Sequence, residues 1–316
     1  MKKIIQTSIV VLTTITLSVL GFIFGGFYLT NKQTNILLVL LIICSTSILY
    51  CFIVGEISKN NSQMDKLWSI LPIAYTWVIA IMGGLNFRLV LYASIVTLWG
   101  IRLTFNFARK GAYKLKFWEG EEDYRWAILR KKSIFKSRIA WALFDLLFIC
   151  IYQNLLVLAM TLPMIMLIDS NASFNLFDIL AIASSLFFIL IETIADEEQW
   201  KFYMKRNEML KDGKILSEIE SPYNLGFNTL GLWKYMRHPN YLSEQAIWVC
   251  LYIFTIATNS CKYGIFNWTL FGPMLIILLF LGSSTFGEAI SISKYPKYKD
   301  YQKQVFKYIP IKKFKY

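Results

Sequence analysis

The sequence places its most chemically versatile side chains between residues 237 and 244, where an apolar stretch begins. The polar members of this segment are Arg237, His238, Asn240, Tyr241 and Glu244. Pro239 favours the first turn of a helix, so Arg237 and His238 are expected to precede a helix N-terminus. Free amide groups and the helix dipole make such a position suitable for phosphate. A polar helix cap is the alternative structural interpretation.

Further charged residues stand inside or beside other apolar stretches. Glu192 and Asp196 are four residues apart and therefore share one helix face. They repel each other unless a cation or a hydrogen-bond donor lies opposite, and a ribose, an adenine amine or arginines would serve. A third group has the basic and amide members Arg102, Asn106, Arg109 and Arg125. A solvated loop is the alternative for its charged part. Glu288 and Asp145 are also acids within apolar stretches, where a carboxylate is costly without a function or a partner.

The elements that must position these residues are apolar helices. Of the 316 residues, 56% are hydrophobic and 17% are charged, against about 45–50% and about 25% in soluble domains. This excludes a soluble enzyme, a disulfide scaffold and a disordered chain. The expected apolar helices are 6–29, 34–55, 67–82, 88–107, 139–168, 176–194, 241–257 and 264–282. The fold class is therefore an all-α polytopic membrane protein with about seven or eight transmembrane helices.

The charge distribution predicts how the chain lies in the membrane. The net charge is +13, and the bases concentrate in the loops between apolar runs and in the tail. By the positive-inside rule both termini are expected to be cytosolic, in a bacterial inner membrane or an endoplasmic reticulum. The bases indicate contact with anionic lipids or an anionic cofactor, and not with nucleic acid. A metal site is not expected, because the chain has one histidine and no CxxC pair.

One helix and one turn are expected to depart from regular geometry. The helix at 139–168 is long enough to be tilted or kinked at Pro163. Gly83 and Gly84 are expected to form a tight turn. The sequence contains neither GxGxxG nor GxxxxGK[ST], so a nucleotide cofactor would have to be held by the helical membrane domain itself.

Six ordered stretches resemble the steroid 5-alpha-reductase-like superfamily, and most of all its little-characterised microbial branch. The stretches are DKLWSILP from Asp65, LWGIRLTFN at 98–106, EEDYRW at 121–126 with Arg130 beyond, IETIAD at 191–196, GLWKYMRHPNYLSE at 231–244 and KYPKYKDYQK at 294–303. They span roughly residues 60–310. RHPNY followed by Glu is shared with isoprenylcysteine carboxyl methyltransferases and sterol reductases, whereas the full ordered set is more specific.

The resemblance implies an all-helical membrane reductase that binds NADPH in a cytosol-facing cavity, beside an apolar substrate chamber. Residues 1–58 would supply N-terminal transmembrane helices and residues 59–316 the catalytic domain. The implied cofactor-binding residues are Arg102, Asn106, Arg109, Arg125, Glu192, Asp196, Arg237, His238, Asn240, Tyr241, Glu244 and Glu288. Trp68 and Trp99 are expected to contact the substrate.

The resemblance also implies an acid and a tyrosine that hold the substrate carbonyl. Asp65 falls at the acid's place, but Trp99 takes the place of the tyrosine. An indole donates a hydrogen bond but supplies no proton. Either Asp65 is the acid, with a raised pKa, or a nearby tyrosine such as Tyr92 or Tyr124 substitutes, or the substrate is not a 3-oxo-steroid.

The leading hypothesis is an NADPH-dependent reductase of a conjugated C=C bond in a lipophilic substrate of steroid or isoprenoid type. One alternative is a membrane methyltransferase that uses S-adenosylmethionine. The other is a non-catalytic lipid-binding protein of the same fold.

Overall fold

The computed structural model describes residues 2–211, 213–259 and 265–315. Within these ranges the regular structure is helical and contains no β-strand, as the composition predicts. The α-helices are α1 Lys2–Gly25, α2 Asn31–Ser58, α3 Gln63–Leu67, α4 Ile70–Gly83, α5 Phe87–Ala108, α6 Tyr124–Arg130, α7 Arg138–Phe144, α8 Gln153–Thr161, α9 Leu176–Met209, α10 Pro239–Ala257, α11 Phe271–Lys294 and α12 Tyr298–Gln304.

Six described helical segments are long and apolar enough to cross a membrane, which supports an integral membrane protein. They are Ser8–Gly25, Asn31–Ser58, Phe87–Ala108, Arg138–Leu167, Leu176–Met209 and Trp268–Lys294. The other two expected helices exist as α4, with 14 residues, and α10, with 19 residues. The expected count of seven or eight spans therefore stays a prediction.

Several helix boundaries differ from the expected ones. Helix α1 ends at Gly25 and not at 29. The helix expected at 264–282 is α11, which runs from Phe271 to Lys294, because the Ser, Glu and Lys of its last turns end the hydropathy signal without ending the helix; residue 264 lies outside the described residues. The third expected helix begins at Ile70 and not at 67, because the residues before it form the separate short helix α3. Helix α9 continues to Met209, well beyond the apolar limit at 194. Its extension is rich in Glu, Lys, Arg and Met, which favour helix while ending the hydropathy signal.

The segment Arg138–Leu167 is helical throughout but changes its winding twice. A π-helix at Asp145–Tyr152 joins α7 to α8, and a 3₁₀ turn at Leu162–Leu167 contains Pro163. The irregularity expected at Pro163 therefore takes the form of tighter winding. At the end of α4, Gly84 adopts a positive φ of 100° and its N–H donates to the carbonyls of Ala80 and Ile81, so the expected glycine turn is a left-handed helix cap.

The chain forms two compact units. The Asp65 unit comprises Thr13–Ala181 and Leu251–Leu275, and the Arg237 unit comprises Met1–Leu12, Ile182–Cys250 and Ile276–Tyr316. The names refer to the polar cluster that each unit contains.

Helices α4 and α5 form a tightly packed pair in the Asp65 unit. Gly100 lies so close to α4 that a Cβ atom there would be 2.7 Å from the carbonyl oxygen of Ser69. The hydroxyls of Ser69 and Thr104 are 2.6 Å apart, and the Trp77 indole donates to Thr97 at 2.9 Å. These contacts fix the start of α4, just after Asp65, against the C-terminal half of α5.

A buried ion pair joins α5 to the start of α9 in the same unit. Arg88 Nε donates to Asp178 Oδ1 at 2.7 Å and its Nη2 donates to Oδ2 at 2.9 Å. The guanidinium also donates to the carbonyls of Ala172 and Ser173. Asp178 is fully buried, so its charge depends on Arg88 for compensation.

The Arg88–Asp178 pair gives a test of the Asp65 unit. Arg88→Met or Asp178→Leu alone leaves one buried charge without its partner, and each is expected to lower the free energy of unfolding by about 3–5 kcal/mol. The double variant is expected to lose less than the sum of the two. Thermal unfolding in detergent measures all three, and additive losses would contradict a direct electrostatic coupling.

Candidate functional site

Asp65 lies at the centre of a polar cluster that joins α3 to the loop before α6. Its Oδ2 accepts a hydrogen bond from the Trp126 indole at 2.8 Å. Burial raises the pKa of Asp65, the nearby carboxylate of Asp123 raises it further, and the Arg125 guanidinium opposes both. A carboxyl group in this environment retains its proton to a higher pH than usual, as a proton donor requires.

The loop of residues 109–123 is bound to α3 through backbone carbonyls. Lys66 is fully buried, and its Nζ donates to the carbonyls of Phe117 and Glu119 at 2.8 and 2.7 Å. Burial lowers the pKa of Lys66 to about 8. The Tyr113 hydroxyl donates to the Lys66 carbonyl at 2.7 Å. Lys66 is a site residue that was not predicted from the sequence, where its place next to Asp65 inside DKLW is its only signal.

A second set of contacts anchors α6 on the same segment. Asp123 caps α6 by accepting from the Arg125 amide, and its own amide donates to the Ser62 hydroxyl at 2.9 Å. Glu122 pairs with Arg130 and accepts from the Asn61 amide at 2.8 Å. The acidic residues of EEDYRW therefore act as structural links, which sequence spacing did not reveal.

One face of α5 carries five of the predicted site residues. At 100° per residue, their positions in the helix and at its cap fall within one stripe: Tyr92, Trp99, Arg102, Asn106 and Arg109. Tyr92 and Trp99 are fully buried inside the span, and Asn106 is buried near its end. The stripe therefore runs from aromatic to cationic and amide side chains, which suits a lipophilic group at one end and an anion at the other.

Two of the cations predicted to bind cofactor have intramolecular partners. Arg109 donates to the Asn106 side-chain carbonyl through Nε and Nη2, at 3.0 and 2.8 Å. Arg125 forms a bidentate pair with Asp123 at 2.8 and 2.9 Å. A carboxylate competes with phosphate more strongly than a neutral amide does, so the pair with Asp123 weighs against Arg125 as a phosphate ligand.

The remaining predicted residues of the Asp65 unit differ in exposure. The hydroxyl of Tyr92 is buried and has no hydrogen-bond partner among the residues that the structure describes. Tyr124, at the start of α6, is 54% exposed, which is unfavourable for proton transfer in a dry chamber. Trp68 is half-buried in the turn between α3 and α4.

The Arg237 unit is organised around the buried carboxylate of Glu288 on α11. Arg237 Nε donates to Glu288 Oε1 at 2.6 Å, and the Gln302 amide donates to Oε2 at 2.7 Å. His238 Nε2 lies 3.1 Å from Oε1. Arg237 also donates to the Val305 carbonyl. The guanidinium therefore points inward to Glu288 and the tail, although α10 does begin at Pro239 as expected.

The C-terminal tail holds the Arg237–His238 segment in place. The amides of Arg237 and His238 donate to the carbonyls of Phe306 and Lys307, both at 3.1 Å. The Tyr301 hydroxyl donates to the carbonyl of Trp233. Beneath these bonds lies an aromatic core that comprises Leu225, Phe227, Tyr298, Tyr301, Val305 and Phe314. The KYPKYKDYQK stretch is thus the support of the RHPNY stretch.

Helix α9 holds the start of the same segment. The Trp233 indole donates to the Ala195 carbonyl at 3.0 Å, and Glu198 accepts from the Leu232 amide at 2.8 Å. Gly231 has a positive φ of 54°, and a Cβ atom there would lie 1.9 Å from Glu198 Oε1. Only glycine satisfies both the backbone angle and the close approach.

Three predicted acids of the Arg237 unit are buried on α9 and α10, and the predicted amide Asn240 is half-buried. Glu192, Asp196 and Glu244 are 3%, 7% and 3% exposed. Asp196 accepts from the Asn240 side chain at 3.2 Å, and Glu244 accepts from the Trp248 indole at 3.1 Å. The prediction that a donor lies opposite Asp196 is thereby met by Asn240.

His238 is enclosed by aromatic rings. It stacks on Tyr241, with ring centroids 5.2 Å apart and planes inclined by 15°, and Tyr308 lies on another side. Burial lowers the pKa of His238, and the charges of Arg237 and Lys307 act in the same direction against Glu288. The imidazole is therefore kept neutral. Among the described residues no group of three His, Cys, Asp or Glu side chains could hold a metal ion.

Glu288 gives a direct test of this arrangement. Glu288→Gln leaves the buried Arg237 charge uncompensated and is expected to cost about 3–5 kcal/mol of unfolding free energy. Asp300→Asn is the matched control, since the Asp300–Lys303 pair is exposed and should have little effect. Thermal unfolding in detergent compares them, and equal losses would contradict the central role of Glu288.

The lowered pKa of His238 predicts a pH dependence. The unfolded chain takes up a proton at about pH 6.5 more readily than the folded chain. The stability that neutral His238 provides is therefore present above about pH 6.5 and is lost as the pH falls through it. Unfolding between about pH 7.5 and 5.5 should show this loss in the wild type and a smaller one in His238→Gln. Wild-type stability that increased on acidification would contradict the assignment.

Comparison with known proteins identifies relatives of the chain. Residues 51–305 match the family described as "Protein of unknown function (DUF1295)". An uncharacterised protein of Schizosaccharomyces pombe is 36% identical over 282 residues, which cover 83% of this chain and 78% of the relative. No solved structure matches. The matched range includes every predicted site residue, and the chain belongs to the DUF1295 family.

Proposed function

We propose that this protein is an NADPH-dependent membrane reductase that adds hydride to the conjugated C=C bond of a lipophilic enone. One observation carries the proposal. Within a single unit, the Ser69–Thr104 contact fixes the start of α4, just after Asp65, to α5, whose stripe with Trp99 and Arg102 lies on another face of the helix. One unit thus combines an acid with a raised pKa, buried aromatic side chains and a helix end that carries arginines.

The side chains in the predicted cofactor positions have chemistry that fits a dinucleotide. Arg102 and Arg109 lie at the end of a span and suit phosphates. In the Arg237 unit, the buried carboxylates of Asp196 and Glu244 suit ribose hydroxyls or an amide. Arg125 and Arg237 fit less well, because each already binds a carboxylate. Bound NADPH would supply the hydride, and no residue of the chain needs redox chemistry of its own.

The chain's own contribution is to position the substrate and supply a proton. Asp65 would donate a hydrogen bond to the enone carbonyl and so polarise it, because its proton is retained by burial and by Asp123. The Trp126 indole orients the carboxyl group by donating to Oδ2. Trp99 and Trp68 would line the apolar substrate. The exposure of Tyr124 favours Asp65 over that tyrosine as the acid.

The proposal rests also on the ordered motifs shared with the steroid 5-alpha-reductase-like superfamily. Each of the six stretches lies entirely inside one of the two units. Trp99 is fully buried where the superfamily places a tyrosine, so the proposal specifies a lipophilic enone of steroid or isoprenoid type and does not restrict it to a 3-oxo-steroid.

Asp65→Asn tests the assignment of the acid. Purified protein is supplied with NADPH and a panel of steroid and isoprenoid enones, and NADPH oxidation is followed by absorbance. The substitution is expected to slow oxidation by about 10²–10⁴-fold, the usual contribution of a general acid, while stabilisation by NADPH persists. Asp300→Asn serves as the control for the loss of a carboxylate in an exposed ion pair.

Other outcomes of the same assay would overturn the proposal. Methyl transfer from S-adenosylmethionine without NADPH oxidation would favour the methyltransferase. NADPH binding with no oxidation by any enone would favour a non-catalytic lipid-binding protein. Full activity of Asp65→Asn would remove Asp65 from the mechanism.

A further inference from the structure

A second buried acid of the Asp65 unit, Asp145, lies about two turns inside the Arg138–Leu167 span and is fully buried. The Cys150 thiol donates to its Oδ1 at 3.8 Å, whereas its Oδ2 has no hydrogen-bond partner in the part of the chain that the structure describes. The nearby Arg130 guanidinium is already paired with Glu122. A carboxyl group so placed inside a membrane protein indicates a function.

The π-helix at Asp145–Tyr152 gives this acid its neighbours. At about 100° per residue, a regular α-helix would place residues 145 and 154 on opposite faces. The wider winding bonds residues five apart, so Cys150 adjoins Asp145, and Asn154 follows one α-helical turn later. The Asn154 amide donates to the Cys150 carbonyl at 2.7 Å and lies 4.0 Å from the sulfur of Cys51 on α2. Asp145, Cys150 and Asn154 therefore form one polar face that is turned towards α2.

Three polar atoms at this polar face have no hydrogen-bond partner within the described ranges. They are Asp145 Oδ2, Asn154 Oδ1 and Asn61 Nδ2, on side chains that are 0%, 0% and 5% exposed. The Asn61 side chain interacts with Asp145, and its orientation is fixed, because its Oδ1 accepts from Arg130 and from the Trp141 indole at 2.6 and 3.1 Å. Two acceptors and one donor match the hydrogen-bonding capacity of buried water, which typically makes about three such bonds.

The polar face adjoins the Asp65 cluster. Cys51 interacts electrostatically with both Asp145 and Asp65. Asn61 interacts with Asp145, and the hydroxyl group of the next residue, Ser62, interacts with Asp65. A hydroxyl group both donates and accepts hydrogen bonds, so it can pass a proton between water and a carboxylate. A short polar stretch of the chain therefore joins the two acids.

The proposed reaction needs a route by which protons return to Asp65. As hydride is added to the C=C bond, the electron pair of that bond shifts to the carbonyl oxygen, which takes the proton of Asp65 and yields the enol of the product. One proton per turnover must then reach the Asp65 carboxylate. Because the substrate occupies the donating side of Asp65, the new proton must arrive from another side. Glu56, on α2, is half-buried and interacts electrostatically with Asp145, so it offers a route from the surface to the buried acid.

From this arrangement we propose that Asp145 is the proton reservoir that reloads Asp65 after each turnover, through water held at Asn61 and Asn154. The inference rests on the proposed reductase activity. Asp145 passes its proton to the Asp65 carboxylate by way of water and the Ser62 hydroxyl, and it takes a new proton from the aqueous side by way of Glu56. Asp145 does not touch the substrate, so the first chemical step does not depend on it.

Asp145→Asn separates reloading from chemistry. The amide is close to the carboxyl group in size and adds no buried charge, so the variant should fold and bind NADPH. On rapid mixing with NADPH and an enone, it is expected to oxidise one NADPH per chain at the wild-type rate, because Asp65 begins protonated. The steady state that follows should be slower by about tenfold or more, with a larger solvent deuterium isotope effect than in the wild type.

Two further variants complete the test. Asn154→Leu removes an acceptor of the polar face without touching either acid, and it should also slow the steady state while the first turnover stays fast. Asp169→Asn is the matched control, since it removes a carboxylate from an exposed ion pair of the same unit, and both phases should keep the wild-type rate.

The two phases also distinguish the ways in which the inference can fail. A steady state of Asp145→Asn equal to that of the wild type would overturn the reloading role. A first turnover slowed as much as the steady state would also overturn it, because Asp145 would then act on the chemical step or on the structure around Asp65. A wild-type protein that oxidises NADPH with none of the enones would refute the proposed function itself, and the reloading role with it.

Discussion

The cost of burying charge governs the structure of both units. An ionised side chain inside a helical membrane protein loses its hydration and must regain the energy from a partner. Arg88 and Asp178 meet this requirement in the Asp65 unit, and Arg237 and Glu288 meet it in the Arg237 unit. Each arginine also donates to backbone carbonyls: Arg88 to those of Ala172 and Ser173, and Arg237 to those of Gln302 and Val305. In the Arg237 unit these polar contacts order the tail together with its aromatic core.

The need to compensate the buried charge of Arg237 changes the interpretation of the RHPNY segment. In isolation, an arginine and a histidine before a helix N-terminus suggest a phosphate site. In the structure the arginine binds Glu288 and the tail carbonyl of Val305, and the histidine stacks on Tyr241. The Arg237–His238 segment directly precedes α10, on which Asn240 and Glu244 lie. Its hydrogen bonds to the tail fix the start of that helix. Its part in cofactor binding, in the proposed function, is to hold those two residues in place.

Much of the fold followed from the sequence, because hydropathy and charge act over whole helices. The apolar stretches predicted helices at eight places, and a helix exists at each. The predicted first and last residues of the helices were wrong where hydropathy carries no signal, as at α3 and at the polar end of α9. The contacts of the candidate site could be predicted from the sequence to a smaller extent than the helices. Contacts such as Lys66 with the Phe117 carbonyl, or Gln302 with Glu288, join residues far apart in the chain, and no local pattern predicts such partners.

The central claim is that this helical membrane protein binds NADPH. Equilibrium binding of NADPH to the purified wild type and to Arg109→Gln, with S-adenosylmethionine as competitor, tests it most directly. The account predicts saturable binding of one NADPH per chain, at least tenfold weaker in the variant, because the phosphates lose a cation, and unaffected by S-adenosylmethionine. Absence of NADPH binding to wild-type protein that is folded by thermal unfolding, or its displacement by S-adenosylmethionine, would contradict the account.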